Sequence, residues 1–191
     1  MPDSLSEALF ALMDVRREKG FRDDVLLGPG LSPQETRTRL EKAELSAPAE
    51  LVSWFSWTNG ADAGAWIAPR FYRLLDLDGA LGGRAANLEI ATGLRSDPPD
   101  PSDPVWKPSW LPIFEGAGDE IFVEIDSARN TVSVHYKPWE WLDLDVVRAD
   151  SLADLIWRWV DLYKITPWNA ESQEWELDYA SLPARLNAVL F

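Results

Sequence analysis

The chain has 191 residues, with 18 basic and 32 acidic side chains, a net charge of −14, and no cysteine. That length suits one domain, or one domain with an appendage, and is enough to bury a sizeable core. The composition rules out disulfides and thiol chemistry, holds no apolar run of transmembrane length, and opposes like charge to any phosphate backbone, so neither membrane nor nucleic acid is expected as a partner.

The first residues, MPDSLSEALFALMD, are acidic and lack the basic-then-apolar layout of a secretory signal. Together with the missing cysteines this fits a cytoplasmic protein. Eleven tryptophans are the other departure from ordinary composition. Tryptophan buries a large area in cores and is enriched at binding hot spots.

In chain order, residues 4–18 read as a helix with Leu5, Ala8, Leu9 and Leu12 on one stripe and Gly20 as its stop. Gly28-Pro29-Gly30 is a break. Ser32 and Glu35 have capping-box spacing and Pro33 suits the first helical position, so a second helix is expected from there to about Leu45. Pro48 opens a third, carrying Leu51, Val52, Trp54, Phe55 and Trp57, and Asn59-Gly60 closes it. Trp66-Ile67 and Phe71–Leu75 are expected to enter a sheet, with Pro69 marking an edge or bend. Asp78 is expected to cap a short helix through Ala86, and Ser96–Pro108 is a proline-rich loop.

Trp110–Tyr136 is the organising stretch. Ile121, Val123 and Ile125 alternate with Phe122, Glu124 and Asp126; Val132, Val134 and Tyr136 alternate with Thr131, Ser133 and His135. With residues 127–130 as the loop, Asp126 faces Thr131, and Ile125–Val132, Val123–Val134 and Ile121–Tyr136 share one face. A one-residue slip destroys that match, so the register is specified and the hairpin belongs at the sheet's centre. Leu142, Leu144 and Val146 then alternate with Trp139, Trp141, Asp143 and Asp145. Ser151 and Asp154 cap an amphipathic helix with Leu152, Leu155, Ile156, Trp159 and Val160 on its stripe. Pro167 ends that segment, and a short helix is expected over Leu182–Leu190.

This order resembles the SUKH superfamily, which includes fungal cell-wall assembly regulators and bacterial immunity proteins. The residues that carry the resemblance are Leu40 and Glu41, Pro48 and Leu51, and Asn59-Gly60. Trp110, Pro112 and Ile113 follow, then Gly116, Gly118 and Asp119, and Ser151-Leu152. It spans roughly residues 31–163, leaving 1–30 as a helical lead-in and 164–191 as an extension. It implies an α+β fold, a mostly antiparallel sheet with helices packed on it, and a binding module in which bacterial members block a toxin by direct contact.

Candidate chemistry is sparse. His135 is the one histidine. The register sets it against Phe122 rather than a carboxylate, so it reads as a surface or groove residue without a catalytic role. With one histidine and no cysteine, no zinc site and no cofactor are expected. Asp76-Leu77-Asp78-Gly79 fits helix capping better than a calcium loop, and Gly116, Gly118 and Asp119 fit a tight turn. Glu124 and Asp126 share a strand face of the kind that is usually solvated. The candidate partner-binding set is therefore Trp139, Glu140, Trp141, Asp143 and Asp145, with Trp66 and Trp106 beside it. Aromatic anchors among carboxylates suit a basic, partly apolar partner, unless the tail with Trp168 and Trp175 folds over that stripe. The expected function is an immunity protein that sequesters a basic cognate toxin. The alternatives are a regulatory scaffold for a cellular protein and, third, a carboxylate-dependent hydrolase.

Overall fold

The computed structural model describes residues 4–20, 27–61, 72–94, 96, 106–116, 120–137, 146–169, 174–176 and 181–187. Among them the fold is α+β, with six helices and a five-stranded antiparallel sheet. Helix α1 (Ser4–Glu18), α2 (Pro33–Lys42) and α3 (Ala49–Trp57) precede the edge strand β1 (Arg73–Leu74). Helix α4 (Leu77–Gly93) leads to β2 (Trp110–Glu115), β3 (Glu120–Asp126), β4 (Thr131–Lys137) and β5 (Val146–Ala149). Then come α5 (Leu152–Ile165), the small pair β6 (Trp168–Asn169) and β7 (Glu174–Trp175), and α6 (Ala184–Asn187).

The sheet order is β1-β2-β3-β4-β5, with the β3–β4 hairpin at its centre. Its register is the one the alternation dictates, from Ile121 opposite Tyr136 to Asp126 opposite Thr131. A bulge between Pro112 and Phe114 in β2 lets Leu111, Ile113 and Phe114 all enter the main core, while Trp110 joins a cluster across the sheet. Helices α3 and α5 cover one face, and α1 packs against both of them. Leu155, Ile156, Trp159 and Val160 of α5 are fully buried there, each aliphatic side chain contributing roughly 1.5–3 kcal/mol.

Residues 4–18 join this same core rather than leading into it from outside. Leu5, Ala8 and Leu12 are fully buried. At the shared C-terminal end of the two helices, Arg16 Nη1 donates to the Tyr163 hydroxyl at 2.8 Å, and Lys19 Nζ donates to the Thr166 carbonyl at 3.3 Å.

The helix ends follow local chemistry. Ser32 Oγ accepts from Glu35 N with Pro33 just inside the helix, and Ser151 Oγ accepts from Asp154 N at 2.9 Å. Helix α2 stops at Lys42, short of Leu45, because Glu44 takes the left-handed conformation (φ 60°). Leu45 N then reaches back to the Leu40 carbonyl, and both leucines are buried. Helix α4 departs further from expectation. Its cap is Asp76, whose Oδ1 accepts from Gly79 N at 2.6 Å, and it continues to Gly93. Asp78 lies inside the first turn and pairs with Arg39. Two acceptors lie two residues apart, and only the one whose backbone is extended can cap.

Among the described residues no helix is long and apolar enough to cross a membrane. The strand read around Leu142 and Leu144 lies outside the described residues, and so do Trp66, Ile67, Pro69 and Phe71; β5 begins at Val146. The C-terminal helix covers Ala184–Asn187 within the expected span.

Candidate partner-binding surface

The two faces of the sheet are covered unequally. On the core face Ile121, Val123, Ile125, Val132 and Val134 are almost wholly inaccessible. On the opposite face the β2–β4 end carries a second cluster of Trp106, Trp110, Phe122 and Ala91, with Leu88 of α4 packed against it. Trp106 meets Trp110 edge-on at 5.3 Å between ring centroids, and the Trp110 and Phe122 rings lie 4.4 Å apart. Arg84 of α4 donates to the Pro108 carbonyl at 2.8 Å and so holds the segment carrying Trp106 and Lys107. Burial pushes the Arg84 pKa down, opposed by Glu44.

Beyond this aromatic layer the same face is less buried: Thr131 is exposed, and Glu124, Asp126 and Ser133 are half-buried. Glu124 stands opposite Ser133 and Asp126 opposite Thr131, and Asp150, just after β5, closes one side. The result is a groove of about 530 Å³ lined by these residues with Arg129. Its acids are tethered from within the chain. Lys107 Nζ lies 3.3 Å from Glu124 and 4.8 Å from the centre of the Trp110 ring. Arg129 Nη1 lies 3.3 Å from Asp126. Asp126 Oδ1 also accepts from the backbone N–H groups of Ala128 and Arg129, at 3.0 and 3.1 Å, which shapes the hairpin loop. The Glu124 and Asp126 side chains keep 29% and 37% of their surface exposed.

His135 corrects the sequence reading in two respects. Phe122 is its stacking partner, with ring centroids 5.3 Å apart and planes at 22°. The imidazole is nonetheless buried, at 3% exposure, and a carboxylate does approach it. Its Nε2 lies 2.8 Å from Ser133 Oγ and 3.6 Å from Glu124 Oε2. The cause is the aromatic layer, which covers the strand face that alternation alone leaves to solvent. Serine, histidine and carboxylate lie side by side, but Ser133, His135 and Glu124 are not arranged with respect to one another as a hydrolytic relay. An orienting carboxylate must bind the ring nitrogen that does not face the serine. Here serine and glutamate converge on the same nitrogen.

The expected anchors separate. Trp106 is 3% exposed and belongs to the aromatic cluster, so it has no face to offer a partner. Trp66, Trp139, Glu140, Trp141, Asp143 and Asp145 lie outside the described residues, as do Gly118 and Asp119. Trp110 and Pro112 are buried in β2. Asn59 and Gly60 hold the junction between α3 and α4: Asn59 Oδ1 accepts from Leu77 N, and Gly60 has φ 85°. Among the described residues no group of three or more His, Cys, Asp or Glu is placed to hold a metal ion. The groove was half legible in the sequence, because the alternation already put Glu124 and Asp126 on a solvated face. Asp150 was not, since only the β4–β5 pairing brings it alongside. Comparison of the sequence with protein-family models and with curated proteins finds no match.

Proposed function

We propose that this chain is a non-catalytic binding protein that acts in the cytoplasm, neutralising a cognate bacterial toxin by direct contact through a basic surface of that toxin. The observation that carries the reading is the acidic groove on the less buried part of the sheet, on a chain of net charge −14. The resemblance to immunity proteins supplies the class of partner. Carboxylates on a rigid strand pair cost little to orient, and a strongly negative field speeds the approach of a cationic surface.

The test is co-expression with the product of the adjacent gene. The expected result is a stable complex in which the toxic activity is lost, with association that slows as salt rises. A neighbouring product that is not toxic and does not co-purify would remove the immunity reading.

A further inference from the structure

We propose that Asn59 is a chemical modification site, a deamidation site gated by the first turn of α4. Five asparagines occur in the chain, and Asn59 alone is followed by glycine. With no Cβ on the following residue, its backbone nitrogen is sterically free to attack the asparagine side chain. The Gly60 nitrogen attacks Asn59 Cγ. The side-chain nitrogen leaves as ammonia, taking up the proton that Gly60 loses, and a five-membered succinimide forms. One water then opens either of two ring C–N bonds, giving aspartate or, with the chain rerouted through Cγ, isoaspartate.

The fold restrains both residues that must move for that step. Asn59 Oδ1 is occupied by the Leu77 N–H at 2.8 Å. The Gly60 carbonyl accepts from Gly28 N at 2.9 Å and from Thr58 Oγ1 at 2.7 Å, which clamps the residue on its far side. Gly60 sits at φ 85°, so close to Asp76 that an added Cβ would lie 2.8 Å from its backbone nitrogen. Rotation of the Asn59 side chain onto the Gly60 nitrogen requires release of Leu77. The Leu77 amide is released when the first turn of α4 frays, and Asp76 is the cap that resists fraying. A cavity of about 450 Å³ lined by Asn59, Gly60, Asp76 and Gly79 gives water access to the site. Reaction therefore adds a carboxylate beside Asp76 and Asp78. Isoaspartate also lengthens the backbone by an atom, where Gly28 pairs with Gly60 and Ala61 with Leu74. The modification is an irreversible loosening of the α3–α4 junction, set off by local opening rather than global unfolding.

The experiment follows Asn59 by peptide mapping and mass spectrometry, with isoaspartate detection, in the intact protein at mildly alkaline pH. Asn87, Asn130, Asn169 and Asn187 serve as internal references. In the folded protein Asn59 should react slower than in urea-unfolded chain by about tenfold or more. Asp76→Ala should speed the folded-state reaction several-fold, whereas Asp76→Asn, which keeps a capping oxygen, should not. In the wild type, low urea should raise Asn59 reaction and Leu77 amide exchange in parallel. Equal rates in folded and unfolded wild type would overturn the proposal, as would a reaction rate that ignores Leu77 exchange or a folded Asp76→Ala with the wild-type rate.

Discussion

Glu50, in the first turn of α3, accepts a hydrogen bond from the backbone N–H of Ala153, in the first turn of α5, at 2.7 Å. One helix thus caps another across more than half the chain. The N-terminal amides of α5 lack intrahelical partners and carry the positive end of its dipole, so a carboxylate is the favoured acceptor. Ser151 satisfies one of these amides and Glu50 another.

Glu50→Ala should cost about 1–2 kcal/mol, the usual range for a lost cap. For a domain of this size that lowers the melting temperature by roughly 2–8 °C. Glu50→Gln keeps an acceptor and should lose less. Thermal denaturation of the two variants beside wild type checks the order; equal losses would show that the Ala153 bond is not the stabilising contact.

Tyr163 makes the fold sensitive to alkali. Burial raises its pKa above the ordinary value of 10.0, against the opposing charge and hydrogen bond of Arg16. The native state therefore holds the phenolic proton more tightly than the unfolded chain does. The stabilisation is full below the unfolded pKa and is lost as pH rises from there through the native pKa. Tyr163→Phe should lower stability at neutral pH by about 1.5–3 kcal/mol, through loss of a hydrogen bond to a charged group. It should also flatten the fall in stability above pH 10. Urea titrations at neutral and alkaline pH measure both; an unchanged alkaline slope would assign that slope elsewhere.

Trp106→Ala tests whether that indole is core or anchor. Its 3% exposure and its contacts with Trp110 and Phe122 place it in the core. Truncation should cost about 3–5 kcal/mol, and any loss of partner binding should track unfolding. A variant of unchanged melting temperature that has lost its partner would reverse the assignment.

Asp150→Lys tests the groove. Asp150 is exposed at its rim and takes no part in the Lys107–Glu124 and Arg129–Asp126 pairs, so folding should change by no more than about 0.5 kcal/mol. Capture of a basic toxin should slow, most at low ionic strength. Unchanged association at low salt would remove this groove from the interface.

The sequence by itself determined the features that depend on neighbours along the chain. The β3–β4 register was legible because a period of two admits one alignment that buries both apolar sets. The Ser32 and Ser151 caps and the stripe of α5 were legible because they span only a few residues. Tertiary structure alone decided what lies over each face. Alternation shows that Phe122 and His135 point away from Ile121 and Val123, but only the placement of Trp106, Trp110 and α4 buries that end while Glu124 and Asp126 stay half-buried. It also chose Asp76 over Asp78, drew α1 into the core through Arg16 and Tyr163, and brought Glu50 to Ala153. Each of these turns on backbone geometry or on a contact between residues far apart in sequence. Such contacts form only when whole elements dock, and residue type and spacing along the chain carry no record of them.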